Sequence, residues 1–268
     1  MNSDELAQLV SDLRDERESL LASLESFDYA SWDLVTPAEP WTIRHQLTHL
    51  CVFDDAAHRA LVDPGGFAAS VSDAGDLPAH IDRTIHLGDG RSGSELVEWW
   101  RATQEQFAAA ALASDPNERV AWFGASPTVG SLVSVRLMEV WAHGQDVVDA
   151  LDVTRVATSR LRHVARLGVV TFANGFEQRG APTPTVPVRV TLTSPDRGDH
   201  WSWGDVNCAN SIEGPAEEFC LVTTRRRHVA DTSLVVRGNI ARQWMEVAQI
   251  YGGPAGDGRR PGQFPRLS

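Results

Sequence analysis

Residues 131 to 151, SLVSVRLMEVWAHGQDVVDAL, constrain this chain more than any other stretch, because an amphipathic helix of that length must bury one face and this face is not wholly apolar. Steps of three and four place Leu132, Val135, Arg136, Glu139, His143, Asp146, Val147 and Ala150 on a single stripe. Charged groups on a core stripe need partners. Glu139 and His143 lie one turn apart and can aim at one ion, but two ligands do not complete a metal site. The candidate third ligand is His49, in WTIRHQLTHLCVFDDAAH, a second helical stretch whose stripe includes Leu47, Leu50, Phe53 and Ala57. Spacing alone also allows Glu139 and His143 to be an exposed intrahelical pair.

The rest of the chain supplies the frame. Residues 4 to 26 put Leu6, Leu9, Val10, Leu13, Leu20, Leu21 and Leu24 on one side and charges on the other, which predicts a core-facing helix. Pro37 and Pro40 mark a connector, Thr42 caps a helix over Ile43 to Leu61, and Asp63-Pro64-Gly65-Gly66 ends it. The polar segment 68–93, with His80 and His86, reads either as a lid over a pocket or as a surface loop with a short helix. Ser92 and Glu95 form an S-x-x-E box opening a helix through Leu96, Trp99, Trp100, Phe107 and Leu112. A connector with Trp122 and Phe123 leads into the central stretch, and a further helix is expected over Ser159 to Glu177. Gly180 to Pro184 predicts the domain boundary, with units of 1–181 and 182–268. Beyond it the period changes: VPVRVTLTS, HWSWGD and Thr232 to Arg237 read as strands, Ala216 to Thr223 as a helix after Pro215, and Asn239 to Tyr251 as a helix capped by Asn239. The predicted fold class is α+β, a four-helix bundle followed by a smaller α/β domain.

Charge narrows the partners. All 24 basic residues are Arg, against 36 acids, and the imbalance is concentrated in residues 1 to 181, with 14 Arg and 27 acids. Such a surface repels polyanions, so nucleic acid and anionic membranes are excluded as partners. Cys51, Cys208 and Cys220 fit neither a disulfide framework nor a thiolate zinc site. The acidic, immediately helical start and the lack of a membrane-length apolar run predict a cytoplasmic protein.

PWTIRHQLTHL followed by RLMEVWAHGQDVVDAL resembles the DinB-like superfamily of four-helix metalloproteins, specifically its mycothiol-dependent maleylpyruvate isomerase branch and an actinobacterial metal-binding subgroup of it. The resemblance implies that His49, Glu139 and His143 hold one divalent ion, usually zinc, and that the later half, from about Pro184, is a small α/β domain distantly similar to sterol-carrier folds. It further implies a metal-dependent isomerase or thiol transferase in which the thiol of mycothiol adds to a small electrophilic, acidic substrate. The family's arginine after the second domain's first helix corresponds to Arg225 or Arg226 in LVTTRRRH, which would bind the substrate acid; the alternative is a solvated turn.

A His2Glu set suits zinc, leaving an open position for water or substrate. Asp146 is either an acceptor that orients a ligand imidazole or a surface carboxylate, and Arg136 pairs either with Glu139 or with a substrate acid. His45, one turn before His49, lies behind the ligands or at the rim, and Trp141 should face a neighbouring helix. No residue is assigned a catalytic role, and the oligomeric state is not specified. Two other functions fit the same residues: a non-catalytic metal-binding protein whose second domain holds an apolar ligand, and a thiol-independent isomerase or cyclase of specialised metabolism.

Overall fold

Thr42 and Ser92 begin the two helices that organise the first unit of the computed structural model. The structure describes residues 1–24, 29–196, 198–252 and 254–264. Thr42 caps α2 (Ile43–Val62) by accepting from His45 N, while His45 Nδ1 accepts from Thr42 N, a reciprocal box in which a histidine takes the place of the usual Glu or Gln. Ser92 and Glu95 cap α5 (Gly93–Leu112) by the expected box. Thr128 caps α6 (Val129–Leu151), and Asp152 in the left-handed region (φ 52°) ends it. Before them comes α1 (Ser3–Leu24); the last two residues of the helix expected there lie outside the described residues.

These helices pack as their stripes require, α2 against α5 and α6, and α1 against α6 and α5. Leu47 and Leu50 of α2, Leu96, Trp100 and Phe107 of α5, Leu132, Leu137 and Val147 of α6, and Leu13 of α1 are all completely buried. Each such side chain contributes about 1.5–3 kcal/mol toward offsetting the entropy of ordering the helices.

The 68–93 segment is mostly helical rather than a loop. It forms the end of α3 (Pro64–Ala74), then α4 (Leu77–Thr84) and a 3-10 turn at Ile85–Gly88. The cause is local: Asp63 and Asp76 each accept from an amide three residues on, with proline in the first turn, so residues that read as breakers are helix starts. Between α5 and α6 the chain makes a small hairpin, bridged at Arg119–Thr128 and Trp122–Ala125, with Gly124 (φ 75°) supplying the turn.

The chain divides into two compact units, Met1–Arg155 and Val156–Ser268, ahead of the Gly180–Pro184 segment. The helix expected over 159–177 is broken into α7 (Leu161–Val170) and α8 (Asn174–Glu177), and α7 packs on α9 (Ala216–Thr223) within the second unit. Gly168 permits that approach, since a Cβ there would stand 2.9 Å from the Phe219 ring. The sheet has the order β2-β1-β3-β4, from β1 (Val188–Thr193), β2 (His200–Trp203), β3 (Asn210–Pro215) and β4 (Val235–Arg237). β1 pairs in parallel with β3 and antiparallel with β2, and β3 antiparallel with β4, burying Val190, Leu192 and Ile212. β3 occupies a segment the sequence reading left without structure. The last helix, α10, runs from Asn239 to Val247 with Gly238, not Asn239, at its cap. The architecture is therefore α+β. Among the described residues no helix is long and apolar enough to cross a membrane.

Candidate functional site

α2 and α6 run antiparallel and are joined by three side-chain cross-links, one per turn. Gln46 meets His143, His49 meets Glu139, and Arg136 meets Asp54 and the Leu50 carbonyl. The middle rung contains the expected triad. His49 Nε2 lies 3.3 Å and His143 Nε2 3.1 Å from the same oxygen, Oε2 of Glu139. Glu139 and His143 are thus inward-facing groups of the core rather than an exposed pair. Their side chains are 17% and 12% exposed and that of His49 6%, so solvent reaches the cluster from the α6 side.

The outer rungs explain the geometry of the inner one. Oε1 of Gln46 is 2.5 Å from His143 Nδ1, and its amide Nε2 donates to Thr36 Oγ1 at 2.8 Å. Thr36 in turn donates to the Trp41 carbonyl at 2.8 Å, leaving its lone pair for Gln46. An amide oxygen only accepts, so His143 Nδ1 carries its proton and, in the neutral ring, Nε2 presents a lone pair to Glu139. A lone pair and a carboxylate oxygen 3.1 Å apart repel unless a proton on Nε2 or a metal cation lies between them. A tetrahedral ion with bonds of about 2.0–2.1 Å sets its donors about 3.3 Å apart, so the spacing and the donor set fit a small divalent ion. Among the described residues His49 Nδ1 is buried without a hydrogen-bond partner, so only the Glu139 contact at Nε2 bears on its tautomer.

Electrostatics follow from burial. Loss of solvent, then the neighbouring His143, lowers His49 to about 4 against the opposing pull of Glu139. Burial pushes the Glu139 carboxyl up, but hydrogen bonds and charge from His143 and His49 outweigh it and hold the group well below the usual carboxylate range. Rings border the cluster: Trp41 lies 5.3 Å from His49 and stacks on His143 at 5.9 Å, and Phe53 lies 4.4 Å from His49.

Several expectations are corrected. The acceptor that orients His143 is Gln46, a residue the sequence reading passed over although it sits among core positions three residues before His49. Asp146 is completely buried, so it is not a surface carboxylate. Arg136 pairs with neither Glu139 nor a substrate acid: its Nε donates to Asp54 at 2.8 Å and its guanidinium to Leu50 O, with 1% of the residue exposed. Trp100 Nε1 donates to the other Asp54 oxygen at 3.0 Å, completing a buried network that sequence periodicity could not pair. Arg225 donates to the carbonyls of Glu246 and Ala248, and Arg226 to that of Thr224, so both are engaged within their own unit and half-buried rather than a solvated turn. Trp141 is buried beneath the Arg155 guanidinium, as a packing residue.

A second group of ligand-type side chains, His45, His86 and Asp89, does not form an equivalent centre. His45 uses its Nδ1 lone pair to accept from Thr42 N, which leaves its proton on Nε2, 3.7 Å from Asp89. A ring so committed offers a metal no free nitrogen.

The family model described as the mycothiol maleylpyruvate isomerase N-terminal domain matches residues 13–148, which include the whole cluster. An uncharacterized protein found in two strains of Mycobacterium tuberculosis is 39% identical over 251 residues, covering 93% of this chain and 97% of its own length. The crystal structure of the mycothiol-dependent maleylpyruvate isomerase superposes with a TM-score of 0.56 at 14% identity, over 85% of this chain and 92% of that one, and a mutant of it gives 0.55. At that identity the likeness concerns the fold. The chain belongs to the mycothiol maleylpyruvate isomerase N-terminal domain family, within the DinB-like superfamily.

Proposed function

We propose that this chain is a cytoplasmic, metal-dependent isomerase or thiol transferase that uses mycothiol on a small electrophilic substrate. His49, Glu139 and His143 hold one divalent ion, zinc by the nature of the donors, inside a four-helix bundle of α1, α2, α5 and α6; the second unit is a sterol-carrier-like domain. The observation that carries the reading is the convergence of His49 Nε2 and His143 Nε2 on Glu139 Oε2, at 3.3 and 3.1 Å, while Gln46 occupies His143 Nδ1, a donor set that a small divalent ion fits.

When bound, such an ion supplies Lewis acidity, lowering the pKa of a thiol or polarising a carbonyl oxygen. The protein's own residues do the rest. Gln46 holds the His143 proton on Nδ1, and Trp41 and Phe53 restrict water at the imidazoles. Burial pushes the thiols of Cys51 and Cys220 up, so neither buried cysteine is a protein nucleophile at neutral pH, which favours a sulfur supplied by the co-substrate. In the isomerase form that sulfur bonds to the β carbon of a cis enoyl carbonyl and the π pair moves toward the carbonyl. Rotation and expulsion of the thiolate then restore a trans double bond with no atom gained or lost. In the transferase form the sulfur–carbon bond remains and the α carbon takes the thiol's proton.

The test is turnover of an electrophilic enoyl acid by the zinc-loaded protein with and without mycothiol. Thiol-dependent turnover is expected. Equal rates without thiol, or stoichiometric metal with no turnover, would overturn the proposal.

A further inference from the structure

An acidic substrate requires a cation, and two arginines of the first unit that could serve as one are already engaged. The Arg136 guanidinium, 5.9 Å from the Phe53 ring, is bonded to Asp54, and Arg44 is bonded to Asp33 and the Arg91 carbonyl. What adjoins the triad instead is a chain of aromatic rings. Phe53 touches His49 at 4.4 Å between ring centroids; Phe123 lies 5.4 Å from Phe53, Trp122 5.0 Å from Phe123, and Phe67 stacks on Trp122 at 5.8 Å. Trp122 and Phe123 sit at the tip of the 119–128 hairpin and are only half-buried, whereas Phe53 and Phe67 are 6% and 2% exposed. Two large aromatic side chains left partly in water at a hairpin tip, Trp122 edge-on and Phe123 tilted to the buried Phe53 ring that contacts a candidate ligand, form an apolar wall beside the triad.

We infer that the group carried on the substrate's reacting double bond is aryl or comparably flat and apolar, seated against Phe53, Trp122 and Phe123, and not a carboxylate. The inference rests on the function proposed above and specifies its substrate class. His80, at 5.6 Å from Phe123, forms the polar edge of the wall, and burial followed by the charge of Arg83 lowers its pKa, which favours the neutral ring. Arg83, exposed on α4 and acting on His80 through its charge, is the cation to test for a carboxylate-bearing substrate.

Two probes separate the possibilities because they share one reacting unit. cis-Benzylideneacetone carries a phenyl ring where cis-acetylacrylate carries a carboxylate. With zinc-loaded protein and mycothiol, kcat/KM should favour the phenyl compound by roughly tenfold or more, in line with burying one ring. Phe123→Ala, or Trp122→Ala should the first variant fold poorly, should cut that preference about tenfold, chiefly through KM. Preference for acetylacrylate, or a ratio unmoved in a folded variant, would overturn the inference, and loss of acetylacrylate turnover in Arg83→Ala would assign the carboxylate site in its place. If neither probe turns over, the proposed function fails but the wall is still tested: benzylideneacetone should quench tryptophan fluorescence saturably in wild type and more weakly in Phe123→Ala, and absence of saturable quenching would refute it.

Discussion

Gln46 Oε1 and His143 Nδ1 lie 2.5 Å apart across the α2–α6 interface, and this contact decides which nitrogen of His143 faces Glu139. Removing it should loosen the metal without dissolving the fold. Gln46→Ala is expected to weaken zinc binding by about 10–100-fold, the usual consequence of losing a group that orients a ligand imidazole. A competition titration against a chromophoric chelator checks it. Gln46→Glu, which keeps an acceptor for Nδ1–H, should retain most of the affinity, a pattern that mere packing damage would not give.

The Asp54–Arg136 pair, at 2.8 Å and almost fully buried, pins the same two helices about one turn from the triad. Asp54→Ala strands the guanidinium and the Trp100 N–H in the core, and should destabilise the first unit by about 3–5 kcal/mol in urea denaturation. Replacing the pair together with apolar residues, Asp54→Leu with Arg136→Met, should recover much of that loss. A double variant as unstable as the single one would show that the pair does more than neutralise itself.

Acid should weaken the α1–α5 contact. Arg14 donates to Glu105 at 2.7 Å with Arg17 beside it, and the hydrogen bond from Arg14, ahead of opposing desolvation, lowers the Glu105 pKa. Because the folded value lies below the unfolded one, this stabilisation is complete above the unfolded pKa and is lost as pH falls through the folded pKa. The carboxylate is 46% exposed, so the contribution is small and screened by salt. Stability of Arg14→Ala, followed by denaturation from about pH 6 to pH 3, should fall less steeply than that of wild type, and the difference should shrink in high salt.

Much of this was legible in the sequence because it is local. Thr42 and Ser92 announce α2 and α5, the leucine spacing fixes α1, and the stripe through Glu139 and His143 fixes which face of α6 turns inward. His49 is brought to that face because its own stripe dictates it. What was not legible depends on register between distant segments. Arg136 reads as a neighbour of Glu139 until α2 brings Asp54 to it from 82 residues away. β3 was missed because NSIEGP carries Gly and Pro, and its strand character comes from parallel pairing with β1. Asp63 and Pro64 read only as the end of α2 for a different reason: capping aspartate and first-turn proline start helices as readily as they end them. Gln46 could have been found, since an uncharged polar side chain among core positions one turn from a candidate ligand is the signature of an orienting group.

The central claim is a single ion held between α2 and α6, and elemental analysis of the purified protein after zinc loading and exhaustive dialysis tests it most directly. Wild type should retain one zinc per chain. Glu139→Ala should retain none while its far-UV circular dichroism stays that of the folded protein. A wild type that dialyses to metal-free, or a Glu139→Ala variant that keeps full occupancy, would contradict the account.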